Sequence, residues 1–443
     1  MPCLFLHREV PMKKRIPGVI ALIAVGSVLL AGCSASSDSS AAAGQGDGIG
    51  EVNFVATDDP STYTAVIKAF EAANPNIAVT YTQIPFAQYN STLQQRLGAK
   101  DDTIDVYGVD QPRMAQLAAQ GFLEDLSDLK DQTKSAVSDA QYEVSVYQDK
   151  LWALPISNSA QMLFYNKKAL DSAGVAHPSI DPAQRLTWEQ IETEGKAAQA
   201  AGTKYGLLLE QPNAYYQLQP LMESAGGGSG FTGDDNLTAD VANDGWNKAM
   251  SWYSETFDSK LSPRGIGDFQ TSPVFAAGDL AFFVGGSWDL GTFADSGVDW
   301  GIAPMPSFKG GGTNTPTGSW SWGLNSASKN KAAALTFMKF AALDTDGSLA
   351  TSGTTSNIPS NLAAQAKYLQ QLDTIAGDHS AGASKLIAYE IKNTATPRPV
   401  SVGYPQFEDA ANKAFGDILN GSPVKDRLAQ AQKEITDAWA QLK

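Results

Sequence analysis

The sequence predicts an α/β protein built on a parallel, doubly wound sheet and divided into two lobes. Three observations carry this. At 443 residues the chain is longer than an ordinary single domain. Residues 51–109 follow the order strand, helix, strand, helix, strand, which builds a parallel sheet with helical crossovers. Residues 280–284, LAFFV, form an unbroken apolar run. A strand apolar on both faces belongs inside a sheet covered by helices.

Composition sets outer limits. Apolar residues make up 43% and charged residues 18% of the chain, the balance of a folded globular protein. The net charge is −15 with no basic patch, which excludes nucleic acid as a partner. Near the N-terminus Lys13-Lys14-Arg15 precede an apolar core at 19–30, too short to span a bilayer as a mature helix, and then Leu30-Ala31-Gly32-Cys33. This segment resembles the lipobox of bacterial lipoprotein signal peptides, which implies that Cys33 is lipidated and becomes the mature N-terminus. Residues 1–32 are then a signal peptide, with MKKR at Met12 a better start than Met1. The Ser/Ala/Gly-rich stretch at 33–48 is a flexible tether that leaves the membrane contact to the lipid alone. Cys3 and Cys33 are the only cysteines, so the mature chain has no disulfide.

The elements follow in order. Residues 51–57 (EVNFVAT) form a strand closed by Asp58-Asp59-Pro60-Ser61. A helix with Tyr63, Val66, Ile67 and Phe70 on one face stops at Asn74-Pro75. A second strand at 77–84, a helix at 89–97 and a third strand at 104–109 end in Asp110-Gln111-Pro112. Residues 151–158, LWALPISN, form a crossing segment stiffened by Pro155. A strand from 162 runs into a turn at Lys167-Lys168. Thr187 caps a helix, with Gln190 completing a capping box. Residues 205–209, YGLLL, are a buried strand. Gly278 stops the helix that contains Phe275, the strand at 280–284 follows, Gly285-Gly286 turn the backbone, and Ser287 is placed to cap the next helix. Residues 300–306 are extended by their prolines, 319–324 alternate as a strand, and 331–343 form an amphipathic helix. A rigid loop runs from Thr396 to Pro405. Leu428, Ile435, Trp439 and Leu442 stripe a last helix.

Several segments carry a family resemblance: EVNFVATDD, IDVYGVDQPRMAQLAAQGFLEDLSDL, LWALPISNSAQMLFYNKKALDSAGV, FAAGDLAFFVGGSWDL, WGIAPMPSF and TATPRPVSVGYPQF. In this order they resemble the extracellular solute-binding proteins (family 1) of carbohydrate ABC importers, relatives of the maltose-binding protein. The resemblance implies a two-lobed, periplasmic-binding-protein-like fold, each lobe a doubly wound sheet flanked by helices, joined by a multi-segment hinge. Lobe one is expected at 49–157 with 312–350, and lobe two at 158–311 with 351–443. It further implies a monomeric, non-catalytic receptor on the outer face of the membrane. Such a receptor closes on a mono- or oligosaccharide and docks on ABC transporter permease subunits.

A sugar has hydroxyls round its edge and a flat C–H face, so it is held by acids, amides and aromatic platforms. Asp58, Asp59, Gln83, Asp110 and Gln111 stand at strand ends in lobe one, and Asn158 stands where the chain first crosses. Tyr215 and Tyr216 follow the strand that ends in Glu210. The resemblance places Gly286 and Trp288 where backbone and indole meet sugar. Trp320 and Trp322 are two residues apart, and one of them is expected in the cleft. Arg398 either forks onto hydroxyls or an acid of the ligand, or holds its own loop by a salt bridge. No metal-ligand spacing or GxSxG occurs, and no cofactor is expected. Two other functions fit the same residues: binding of a polyamine or similar solute, and glycoside hydrolysis by a carboxylate pair drawn from Asp58, Asp110 and Glu210.

Overall fold

The computed structural model describes residues 49–268, 270–353 and 357–442. Cys33, the signal peptide and the tether lie outside them. Two main sheets organise the chain. Their strands are β1 (Gly50–Ala56), β2 (Ile77–Gln83), β3 (Val106–Asp110), β4 (Leu154–Asn158), β5 (Gln161–Asn166), β6 (Tyr205–Leu209), β7 (Leu280–Gly286), β8 (Trp300–Ala303), β9 (Trp320–Leu324) and β10 (Ile358–Pro359).

The first lobe holds a six-stranded sheet in the order β10-β4-β9-β3-β1-β2. β1 runs parallel to β2 and β3, as the strand–helix alternation requires. The remaining strands return antiparallel. β9 and β10 are not products of helical crossovers within the lobe: there the chain re-enters from the other lobe, and each strand arrives antiparallel to β4, which is reached within the first lobe. The second sheet has the order β8-β5-β7-β6. β7 lies inside it, antiparallel to β5 and parallel to β6, with every residue buried. Phe282 and Val284 join a core with Tyr215, Trp246 and Phe407, while Leu280 and Phe283 join another with Phe164, Phe293 and Trp300. The run LAFFV is therefore apolar for the reason the sequence suggests: helices cover both faces.

Local signals hold in detail. Thr187 Oγ1 accepts from Gln190 N and Gln190 Oε1 from Thr187 N, closing the capping box. Gly278 takes φ +81° after the helix Ser272–Ala276. Ser287 does not cap. The short helix Asp289–Thr292 has Trp288 at its N-cap position, and Ser287 Oγ is buried with no partner among the described residues.

The chain passes between lobes from β4 to β5 and again from β8 to β9. Beside the second passage, Thr315–Pro316 pairs in parallel with Ala395–Thr396, which sets the start of the loop carrying Arg398. β10 comes from beyond residue 350, the stretch expected in lobe two, yet it pairs with β4 of the first sheet. Its Ile358 side chain packs into a second-lobe core.

Candidate functional site

A cavity of about 730 Å³ lies between the lobes. Its first-lobe wall comes from the ends of β1 and β3, from β9, and from the start of the helix Phe86–Gly98. Its second-lobe wall comes from the turn after β7, the segment after β6, and the helix Tyr404–Leu419. Ligands of open α/β sheets bind at such strand ends.

Asp58, Asp110, Tyr216, Trp288, Trp320, Trp322 and Arg398 all line this cavity. Asp58 follows β1. Its Oδ2 accepts from the Tyr63 hydroxyl at 2.8 Å, and its carbonyl accepts from Tyr81. Burial, with Asp58 beside it, raises Tyr63 well above the ordinary phenol range, so it stays a donor. Trp320 is half-buried against Tyr89 and Phe86, whereas Trp322 is 1% exposed and packs on Phe54 and Tyr63. Both indoles reach the wall where one was expected, because residues two apart share a strand face.

Arg398 is engaged by the protein. Its guanidinium forks onto Asp110, with Nη1 at 3.0 Å from Oδ2, and lies 5.1 Å from the Tyr216 ring centre. Burial works against its charge, but Asp110 outweighs burial and holds the group protonated. Nearby Arg113 pairs with Glu408, which also accepts from the Tyr404 hydroxyl. Asp110 and Arg113 belong to the first lobe, Arg398 and Glu408 to segments packed on the second, so both ion pairs cross the cleft.

The other candidates fall off the wall. Asp59 is exposed and caps the helix Pro60–Ala73 through Ser61 N. Gln83 is exposed and donates to Thr57 O. Gln111 is buried and donates to the Arg398 carbonyl. Asn158 is buried, its Oδ1 accepting from Ser159 N, and Ser159 rather than Asn158 lines the cavity. Tyr215 belongs to the core and donates to Ser229 O. Gly286 lies behind Trp288, which stands between it and the cavity.

Sequence reasoning missed Phe86, Asn90, Gln211, Asp268, Glu408 and Asn412, which also line the cavity. A signal existed for some of them. Phe86 and Asn90, and likewise Glu408 and Asn412, are four apart on a helix and so share a face.

Behind Trp288 two carboxyl groups are buried. Glu210 Oε1 accepts from the indole Nε1 at 2.7 Å. Asp289 accepts from Ser272 Oγ and Gly286 N, each at 3.2 Å, and burial pushes its pKa up to about 7. In the unfolded chain the ordinary value near 3.8 applies. Between about pH 4 and pH 7 the folded protein thus keeps a proton that the unfolded chain releases. This group's contribution to stability falls as pH rises through that window and levels off above it. Asp289→Asn is expected to flatten the stability profile there by a few kcal/mol, read as the difference between the two proteins' urea midpoints at pH 4.5 and 7.5.

The profile of bacterial extracellular solute-binding proteins matches residues 55–347. The chain belongs to this family. Among the relatives of this solute-binding protein, a galactooligosaccharide-binding protein of Bacillus subtilis is 24% identical over 71% of this chain and 73% of its own length. A maltooligosaccharide ABC transporter solute-binding lipoprotein of Streptococcus pneumoniae is 26% identical over 75% of each. Two solved structures share the two-lobed fold. An ABC substrate-binding protein of Listeria monocytogenes in complex with cycloalternan has a TM-score of 0.77 at 20% identity, over 88% of this chain and 99% of its own. The GacH receptor of Streptomyces glaucescens, solved unliganded and with acarbose, has a TM-score of 0.74 at 22% identity, over 89% and 98%.

Proposed function

We propose that this solute-binding protein captures an oligosaccharide in the interlobe cavity and delivers it unchanged to the permease subunits of an ABC importer. One observation carries the reading: the cavity wall carries a half-buried indole from each lobe, Trp288 and Trp320, with carboxylates and amides among the other lining residues. Its volume suits an oligosaccharide, and the printed names of the relatives point the same way. The name of the pneumococcal relative also supports lipid anchoring, here through Cys33. The lobes are assigned as 49–157 with 312–350 and 158–311 with 351–443, with β10 as a shared strand at the joint.

A second reading, a cationic solute such as a polyamine, is favoured by Asp58 and Asp268. Both are wall carboxylates that take part in no ion pair among the described residues. A thermal-shift screen separates the two. Maltotriose or a galactooligosaccharide at 100 times its Kd is expected to stabilise the folded state by about 2.7 kcal/mol, while spermidine leaves the midpoint unchanged. A rise with spermidine alone would replace the sugar reading. Hydrolysis of the added oligosaccharide would replace the receptor by an enzyme.

A further inference from the structure

The orientation of the Trp288 ring is set from behind. β7 ends at Gly286, and a Cβ placed there would stand 2.4 Å from the indole carbons Cη2 and Cζ2. The ring edge therefore lies against bare backbone, which only glycine permits. Beside it, Nε1 donates to Glu210 Oε1 at 2.7 Å. Glu210 is mounted on a rigid frame. It directly follows β6, its N–H donates to Val284 O of the neighbouring β7 at 2.9 Å, and its carbonyl accepts from Thr271 Oγ1 at 2.8 Å. The residue is 1% exposed.

The carboxyl is bonded in an unequal way. Oε2 is buried and has no hydrogen-bond partner among the described residues. Buried polar atoms that serve packing alone are nearly always satisfied. Here the bond to the half-buried indole is the carboxyl's hydrogen bond to the protein. Asp289, next in sequence to the indole, has both oxygens turned to Ser272 and Gly286.

We propose that Glu210 is a positioning residue for Trp288. It fixes the indole at one angle before ligand arrives, so that the platform is preformed rather than assembled on binding. Preforming the ring removes an ordering cost from the binding step. Burial, and then the neighbouring Asp289, raise Glu210 well above the ordinary carboxyl range. A glutamine amide keeps an oxygen acceptor at the same place.

The inference rests on the sugar reading for its purpose, but its test has an arm that needs no sugar. Glu210→Met keeps the side-chain length and removes the acceptor, and Glu210→Gln keeps it. Each protein is compared with its own Trp288→Phe partner, so that the near-ultraviolet circular dichroism of Trp288 appears as a difference spectrum. The same proteins are titrated with maltotriose and a galactooligosaccharide. Glu210→Met is expected to lose the Trp288 band and to bind roughly tenfold more weakly, the effect of about one hydrogen bond. Glu210→Gln is expected to restore most of both. A Glu210→Met protein with an unchanged Trp288 band overturns the proposal. So does equal loss in Met and Gln variants with matched drops in stability, which makes Glu210 a packing residue. If the band is lost in Glu210→Met alone while no sugar binds the wild type, the positioning role stands and the sugar reading falls.

Discussion

Arg398→Met is expected to destabilise the protein by about 3–5 kcal/mol, because it leaves a buried carboxylate without its counter-charge. Asp110 and Arg398 are 9% and 7% exposed and joined by two hydrogen bonds. Methionine fills much of the same space but leaves Asp110 facing a low-dielectric wall, and it withdraws the cation from beside Tyr216. Urea unfolding gives the measurement: the midpoint should drop with little change in slope. The double variant Asp110→Leu with Arg398→Met is expected to recover most of the loss, since replacing both members of a buried pair by apolar groups is often nearly neutral. A single-variant loss below about 1 kcal/mol, the range of exposed pairs, would show that water reaches this pair.

Trp288→Ala is expected to weaken binding of maltotriose or a galactooligosaccharide by at least tenfold, roughly 1.4 kcal/mol, while lowering stability by only about 1–2 kcal/mol. The two effects separate because the ring is half-buried. What it loses to the protein is one hydrogen bond to Glu210 and its contact with Gly286. What it loses to the ligand is a whole platform. Titration calorimetry and thermal melts on the same preparation check both numbers. A large stability loss with intact affinity would make Trp288 a core residue.

How much of this could be read in the sequence depended on range. β6 and the helix Lys331–Leu343 stand at the residues expected, and the Thr187–Gln190 box forms as its spacing requires. These are matters of neighbours in the chain. Asp58, Asp110 and Trp288 were legible as wall residues because each stands at or just past a strand end; Gly285 and Gly286, expected to turn the backbone, are instead the last paired residues of β7. Tyr215 and Tyr216 were not separable. They are adjacent on one helix, so they point about 100° apart, and the turn of the preceding loop decides which meets the core. The partner of Arg398 was beyond reach for another reason: Asp110 lies 288 positions away, and nothing local marks the pairing. Asp59 and Gln83 look like rim residues by position, but each satisfies nearby backbone instead.

The forked bond between Asp110 and Arg398 also bears on what kind of cargo the proposed site would accept. Among the described residues of the cavity wall, Arg398 supplies the one guanidinium and no lysine is present. With that cation committed to Asp110, a phosphorylated or uronic sugar would bring its own negative charge in beside Asp58 and Asp268, with no uncommitted cation among the described wall residues to neutralise it. If the cargo is a carbohydrate, as proposed, an electrically neutral one is therefore expected, because the one cation among the described wall residues already has its partner inside the protein.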